Sequence, residues 1–251
     1  MGAVVIVGDV GGCARQLAEA LEPWVGVPDA VVIQVGDLVD RGPDSAGVLR
    51  LVEERLGGSA PRWVQLVGNH ESPYLGAEPF WPVPLADGDA GVLRRWWLTE
   101  RMRVAAAVRA ADGEEFLLTH AGLSVAAWRE LGGPVTASTA AELLNTRPEA
   151  LLCSDGGPLW AEAPAVYGSW LDERLPLPFS QVHGHSAIVD YGRRVWLCPE
   201  RVRQRSVVDW EARRTVTRLT GGGFVAVDPK HGRSGADRWA PLVLPGARLL
   251  V

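Results

Sequence analysis

Three short β-branched stretches in the first 70 residues each end in a polar residue, and the regular interval between them most strongly limits the fold. These residues are Asp9, Asp37 and Asn69, which lie 28 and 32 residues apart. One strand–helix–strand crossover has this length. The spacing therefore predicts parallel strands whose carboxyl ends meet at one edge of a sheet, where open α/β sheets bind ligands.

Apolar residues at helical spacing fill both intervals. The first interval predicts a helix from Cys13 to Trp24 that Pro23 closes. The second predicts a helix that follows Asp44 and stops at Gly57, because the apolar positions between them lie on one helical face. The first third of the chain thus alternates strands and helices, as a parallel sheet requires.

The remainder of the chain predicts a second sheet. Val104 to Val108 and Glu115 to Thr119 flank an Asp-Gly pair and predict a hairpin. Residues 148–178 show little periodicity, and short β-rich runs separated by turn residues follow from Gln181 onward. We expect one domain over residues 1–251, of the α/β class, with two packed mixed sheets and helices outside them.

Composition excludes several classes of protein. The chain carries 30 acidic and 25 basic residues, a net charge of −5, so we expect no stable nucleic-acid partner. No uncharged run approaches the ~18–20 residues of a membrane span. The three cysteines are widely spaced and form no CxxC pattern, which favours neither a disulfide framework nor a thiolate zinc site. With no signal peptide evident, we expect a cytoplasmic protein without membrane association.

Metal-ligating and acid–base residues recur in five short motifs, four at predicted strand ends or in the loops that follow and the fifth at the start of the late β-rich region. The motifs are Gly8–Gly12, Gly36–Gly42, Gly68–Glu71, Thr119–Gly122 and Val182–Ser186. Carboxylates, an amide oxygen and imidazoles at one sheet edge would form a site for divalent first-row metals. Asp37 could offer one oxygen to each of two ions ~3.5–4 Å apart, and a water bridging them would lose its proton and become a nucleophile.

In this order, the motifs resemble those of the calcineurin-like metallophosphoesterases, and among them those of the phosphoprotein phosphatases and bacterial diadenosine tetraphosphatases. GDLVDRGPDS and GNHE are similar to the second and third family motifs, and THAG and GHS to the fourth and fifth. The resemblance spans residues 4 to about 190. It implies an αββα sandwich of two mixed sheets and the activity of a serine/threonine phosphatase-like phosphoric ester hydrolase.

The resemblance also implies a role for each site residue. His70 would protonate the leaving oxygen with Asp40 orienting its ring, and Arg41 and Asn69 would bind phosphate. Two divalent ions are implied, with Mn²⁺ expected and Fe or Zn as alternatives at the second site. The implied ligands are Asp9 for the first ion, Asp37 for both ions, and Asn69, His120 and His185 for the second ion.

Two departures from the family pattern bear on this chemistry. Gly11 stands where the family has a histidine, so the first metal loses an imidazole ligand. Water, His183 or a substrate group could fill that gap. The family also has an arginine soon after a Leu-Trp pair, whereas here Ala161 and Glu162 follow Trp160. The phosphate clamp is thus expected to lack one cation.

The leading hypothesis is a metal-dependent phosphoesterase that uses a metal-bound hydroxide to hydrolyse a phosphomonoester or a nucleotide phosphoanhydride. Its substrate would be a phosphorylated small molecule, a nucleotide or a phosphoprotein. A phosphodiesterase is one alternative, and a degenerate one-metal relative that only binds a phosphorylated ligand is another. Trp81, Trp96 and Trp97 lie between the third and fourth motifs, where they serve either as an aromatic stacking rim or as packing.

Overall fold

Two mixed β-sheets pack face to face in the computed structural model, which describes residues 2–58, 61–230 and 239–251. The strands of the two sheets and of a small ribbon are β1 Ala3–Val7, β2 Ala30–Gln34, β3 Arg62–Leu66, β4 Met102–Arg103, β5 Ala106–Arg109, β6 Glu115–Thr119, β7 Ser180–His183, β8 Val189–Asp190, β9 Val195–Trp196, β10 Ser206–Asp209, β11 Arg214–Leu219, β12 Gly222–Ala226, β13 Leu242–Pro245 and β14 Arg248–Leu249. The helices are α1 Ala14–Leu21, α2 Ser45–Gly57, α3 Asp87–Leu98, α4 Val125–Glu130, α5 Ala137–Asn145, α6 Glu149–Leu152, α7 Ala163–Glu173 and α8 Glu200–Arg203.

The first sheet has the strand order β13-β1-β2-β3-β4. Strands β1 to β4 are parallel, and β13 pairs antiparallel with β1, in register at Val4 and Leu244. The predicted parallel strands are therefore confirmed, together with the meeting of their carboxyl ends at one edge.

The second sheet has the order β10-β11-β12-β7-β6-β5-β14. Its central pairs β12–β7 and β7–β6 are parallel, and the outer pairs are antiparallel. The predicted hairpin is confirmed as β5 and β6. The run at Val195, expected to belong to this sheet, instead forms the separate ribbon β8–β9.

Apolar side chains fill the space between the sheets and beneath the helices on both outer faces. Alternate residues of β1 pack into two different layers of the core, because successive side chains of a strand point to opposite faces. Val4 and Ile6 pack between the sheets, whereas Val5 and Val7 pack under the helices. The arrangement confirms the α/β fold with two mixed sheets flanked by helices.

Several helices differ from their predicted extent. Helix α1 ends at Leu21, and a short 3-10 turn over Glu22–Trp24 follows it, because Pro23 cannot donate the hydrogen bond that would continue an α-helix. Helix α2 begins at Ser45, where the Asp44 side chain accepts from Gly47 N at 2.7 Å. Helix α7 lies in the segment of low periodicity and was not predicted; it is buried on several sides, which removes the amphipathic pattern.

Among the described residues, no helix combines the length and apolar character needed to cross a membrane.

Candidate metal and acid–base site

Polar residues from both sheets converge at the edge where the parallel strands end. Asp9 and Asp37 lie just beyond β1 and β2, and Asn69 lies beyond β3. The second sheet contributes His120 after β6 and His185 after β7. Because β6 and β7 run parallel, their two loops reach the same edge. The five residues predicted as metal ligands thus come together.

The donor atoms of these residues lie close enough to share a cation. Asp9, Asp37 and His120 offer ligand atoms that lie within 4.8 Å of one another. Asn69 Oδ1 is 3.0 Å from His120 Nε2 and 3.1 Å from His185 Nδ1. His120 Nε2 is also 3.3 Å from Asp37 Oδ1.

Their protonation suits a divalent ion. His120 Nδ1 donates to the Val35 carbonyl at 2.9 Å, which leaves Nε2 as the lone-pair nitrogen facing Asn69 and Asp37. Burial lowers the pKa of His120, and it lowers the pKa of His185 to about 3. Both rings are therefore neutral at pH 7, the form in which imidazole binds metals. Asp37 Oδ2 is buried and has no hydrogen-bond partner among the described residues, so this donor set fits a cation.

Asp37 carries a negative charge at neutral pH. Burial acts to raise its pKa, but the His120 imidazole and the Arg41 guanidinium outweigh burial and hold the pKa of Asp37 well below its usual range. Asp9 responds in the opposite sense, because burial and the nearby carboxylates of Asp228 and Asp37 raise its pKa. Asp9 Oδ1 also accepts from the backbone N–H of His185 at 2.8 Å, which ties the loops after β1 and β7 together.

His70 and Asp40 form a buried pair beside these donors. His70 Nδ1 lies 2.7 Å from Asp40 Oδ2, and Nε2 lies 3.9 Å from Asp37 Oδ2. The Phe80 and Trp81 rings contact the imidazole edge-to-face, with centroid distances of 4.9 and 5.2 Å. Asp40 is thus placed to fix the ring orientation of His70, with Nε2 toward the donor cluster.

Arg41 lies between the carboxylates of Asp9 and Asp37. Nη1 donates to Asp9 Oδ2 at 3.3 Å, and Nη2 is 3.1 Å from Asp37 Oδ2 in an ion pair outside hydrogen-bond geometry. Arg41 was predicted to contact phosphate. The structure shows it engaged with the acidic residues predicted to hold the first metal.

His183 does not fill the space left by Gly11. Its Nε2 is 2.7 Å from Tyr167 Oη and its Nδ1 is 2.9 Å from the Gly184 carbonyl, so both ring nitrogens are occupied within the core. Burial lowers the pKa of His183 to about 4 and keeps it neutral. Of the three candidates for the gap, His183 is therefore excluded, because neither of its ring nitrogens is available to a metal in this arrangement.

The loops of the site hold strained backbone. Asp37, Asp40, Arg41 and His185 all have positive φ, between 58° and 68°. This conformation costs free energy in residues other than glycine, and residues that adopt it cluster at functional sites. Gly36, at φ +99°, permits a close approach, because a Cβ there would lie 2.5 Å from Gly68 N. The strand ends can approach only with glycine at this position.

Glu71 holds these loops together, a role that sequence reasoning missed although the residue lies in the third motif. Its Oε2 accepts from Asp37 N at 2.9 Å and from Gly68 N at 2.8 Å, and Oε1 accepts from Leu38 N at 2.8 Å. Burial and the charge of Asp37 raise the pKa of Glu71 to about 7, while the three N–H donors favour its carboxylate.

Replacing Glu71 with Gln is expected to destabilise the protein by ~1–3 kcal/mol, because the amide NH₂ must face at least one of these N–H donors. In a chain of this size the midpoint of thermal unfolding should fall by roughly 2–12 °C. The control is Glu78→Gln, at an exposed position of the next segment. Equal melting temperatures for the two variants would refute the bridging role.

Asp228 is a second residue that sequence reasoning missed. It is buried just beyond β12, which runs parallel to β7 and so ends at the same edge, and Lys230 Nζ is 3.5 Å from its Oδ2. Burial acts to raise the pKa of Asp228, but the charges of Lys230 and Arg41 outweigh it and lower that pKa. An acidic residue after a β-branched run, as at Asp9, was the available signal.

The three candidate rim tryptophans have different surroundings. Trp96 is fully buried in the core, and Trp97 stacks under the Arg147 guanidinium, 3.7 Å from its ring centroid. Only Trp81 contacts the site, through His70. Trp160 also reaches the site, because its carbonyl is 3.1 Å from His185 Nε2.

A family model described as calcineurin-like phosphoesterase matches residues 2–219. The chain belongs to the calcineurin-like phosphoesterases. The match confirms the resemblance seen in the five motifs, and it includes every predicted site residue.

Named relatives of this calcineurin-like phosphoesterase include nucleotide and protein phosphatases. The symmetrical bis(5'-nucleosyl)-tetraphosphatase of Pectobacterium carotovorum subsp. carotovorum (strain PC1) is 32% identical over 173 residues, which cover 65% of this chain and 54% of the relative. Serine/threonine-protein phosphatase 1 of Salmonella typhimurium is 41% identical over 76 residues, 30% of this chain and 32% of the relative. The chain spans about half the length of the first of these relatives.

Among solved structures, a cold-active protein-tyrosine phosphatase of a psychrophilic Shewanella species is similar with a TM-score of 0.56 and 16% identity. The match covers 97% of this chain and 75% of that one. At this identity the likeness shows that this calcineurin-like phosphoesterase shares the fold.

Proposed function

We propose that this chain is a metal-dependent phosphoesterase that hydrolyses a phosphomonoester or a nucleotide phosphoanhydride. The observation that carries the proposal is the buried His70–Asp40 pair, 2.7 Å apart, facing the metal-ligand cluster. A protein that only binds a phosphorylated ligand has no use for an acid that protonates a leaving group. The pair therefore favours an enzyme over a degenerate binding relative.

The donor set at the edge of the sheets would hold a divalent ion, for which we propose Mn²⁺. Asp37, Asn69, His120 and His185 supply mixed oxygen and nitrogen ligands without thiolate, as first-row divalent metals accept. When bound there, such an ion polarises phosphoryl oxygens and lowers the pKa of water. In the predicted two-ion arrangement, Asp9 would join Asp37 at the first site.

Two of the chain's own groups act on the substrate in this proposal. His70 Nδ1 is engaged by Asp40, so Nε2 is the atom that gives a proton to the leaving oxygen. Arg41 Nε is buried and has no hydrogen-bond partner among the described residues, which leaves one N–H for a phosphate oxygen. As the family resemblance implies, Asn69 would contact both the bound ion and the phosphate.

Within this class, an exposed aromatic rim favours a nucleotide substrate over a phosphoprotein. Phe80 is 44% exposed and lies between His70 and Trp160, with ring centroid distances of 4.9 and 5.3 Å. A large, partly exposed apolar ring beside a charged site offers a stacking face for a base. The tetraphosphatase relative supports the same substrate class.

Replacing Phe80 with Ala should lower kcat/KM for a dinucleoside tetraphosphate by roughly 5- to 150-fold, because base–aromatic stacking contributes ~1–3 kcal/mol. Hydrolysis of glycerol phosphate, which has no base, should change by less than about twofold. Val83→Ala, at an exposed position of the same loop, is the control. An equal loss on both substrates would show that Phe80 packs against His70 rather than stacking on a base.

The experiment that tests the function is metal analysis of the purified protein coupled to a substrate panel with added Mn²⁺. The panel contains a phosphoserine peptide, a dinucleoside tetraphosphate, a mononucleotide, and aryl phosphate mono- and diesters. Turnover of the anhydride and monoesters supports the proposal, and turnover of diesters alone would replace it with a phosphodiesterase. Absence of turnover throughout the panel would overturn it.

The proposed compartment is the cytoplasm. The three cysteines, Cys13, Cys153 and Cys198, form no disulfide in the described part of the chain. Reduced thiols are the usual state there.

A further inference from the structure

The Arg41 side chain lies between two buried carboxylates. It is only 6% exposed, and its two terminal nitrogens reach Asp9 Oδ2 at 3.3 Å and Asp37 Oδ2 at 3.1 Å. These are the carboxylates that the family resemblance assigns to the first ion. A planar guanidinium is suited to contact two carboxylates through separate nitrogens.

Gly11 lies against the stem of the Arg41 side chain. A Cβ at Gly11 would lie 3.6 Å from Arg41 Cδ and 3.7 Å from Arg41 Cβ, so any longer side chain would begin in contact with the arginine stem. Gly11 also has φ +51°, a conformation that favours glycine. A histidine at position 11 would therefore have to share this space with the Arg41 side chain.

Arg41 and Lys230 offset two of the three carboxylate charges around this position without an ion. Asp9, Asp37 and Asp228 are buried near the guanidinium, and Lys230 pairs with Asp228 at 3.5 Å. An arginine stays charged at any pH the protein meets, and these carboxylates raise its pKa further. A divalent ion between Asp9 and Asp37 would have to displace a buried cation that already compensates them.

We propose that Arg41 is a built-in cation that replaces the first metal, so that this chain binds a single divalent ion at Asp37, Asn69, His120 and His185. This inference rests on the proposed function for the identity of that ion site. Two donors of Arg41 neutralise Asp9 and Asp37, and its Nε–H, which has no partner in the described structure, is left for a phosphate oxygen. One residue thus combines the charge of an ion with a phosphate contact.

The test counts Mn²⁺ bound to the whole chain by equilibrium dialysis, alongside the electron paramagnetic resonance spectrum of the bound ions. The wild type should saturate at about one ion per chain with a mononuclear spectrum. Arg41→Met frees both carboxylates and should bind about two ions. Since they would share Asp37 at ~3.5–4 Å, their spectrum should show spin coupling. Arg15→Met, at an exposed position paired with Glu19, should keep one ion.

Two further variants make the result decisive. Circular dichroism shows whether Arg41→Met folds. If it does not, Arg41→Gln takes its place and should also bind about two ions. Adding Asp9→Asn to either variant should return the count to about one, which locates the second ion at Asp9.

Two ions in the wild type, or one ion in a folded Arg41 variant, would overturn the built-in cation. A wild type that binds one ion, with two in the variant, but hydrolyses nothing in the panel would support the built-in cation and overturn the proposed function. Two ions in a wild type that hydrolyses the panel substrates would support the proposed function and overturn the built-in cation.

Discussion

Replacing Asp37 with Asn is expected to lower kcat/KM by roughly 10³-fold or more, even in excess Mn²⁺. Asp37 lies between the imidazole of His120 and the guanidinium of Arg41, and its Oδ2 forms no hydrogen bond to any described residue. The variant removes the charge that holds the proposed ion, and metal assistance contributes several kcal/mol to phosphoryl transfer, where each ~1.4 kcal/mol is tenfold in rate.

The measurement is steady-state hydrolysis of the best panel substrate across a Mn²⁺ titration. Asp29→Asn serves as the matched control, because it makes the same change on the exposed surface. Activity of Asp37→Asn within tenfold of the parent would rule out metal binding by Asp37 as the basis of catalysis.

Replacing His70 with Asn should reduce turnover of substrates with poor leaving groups by about 10²–10⁴-fold, the usual contribution of general acid–base catalysis. An activated aryl ester needs little help from an acid, so its hydrolysis should fall much less. Metal content should remain that of the parent, because His70 Nδ1 is engaged by Asp40 and its Nε2 is 3.9 Å from Asp37.

Rates with an alkyl phosphate and with p-nitrophenyl phosphate are compared on the same protein preparations, together with the bound metal. An equal loss on both esters would contradict a leaving-group acid. Loss of metal from the variant would instead identify His70 as a ligand.

Much of the site was predictable because its residues follow strands at regular intervals. A strand is recognised from β-branched residues and a crossover from its length, so Asp9, Asp37 and Asn69 could be placed at one sheet edge from local patterns. His120 and His185 required the family resemblance, since their strands belong to the second sheet.

The remaining features depend on contacts between distant parts of the chain. Arg41 lies beside Gly11 and reaches two carboxylates that follow different strands, an arrangement that no local pattern encodes. Helix α7 was hidden because burial on several sides removes its amphipathic signal. Asp228 became part of the site only through the parallel pairing of β12 with β7.

Strand β13 links the site to the order in which the chain can fold. It covers the free edge of β1, whose end leads to Asp9, and the paired residues Val4 and Leu244 are 240 positions apart. Contacts between such distant segments carry a high loop-closure entropy and tend to form late. Until β13 docks, β1 presents unpaired N–H and C=O groups to other chains. The docking of β13 is therefore one late step with two effects. It prevents β1 from pairing with strands of other chains, and it fixes the strand that leads to Asp9.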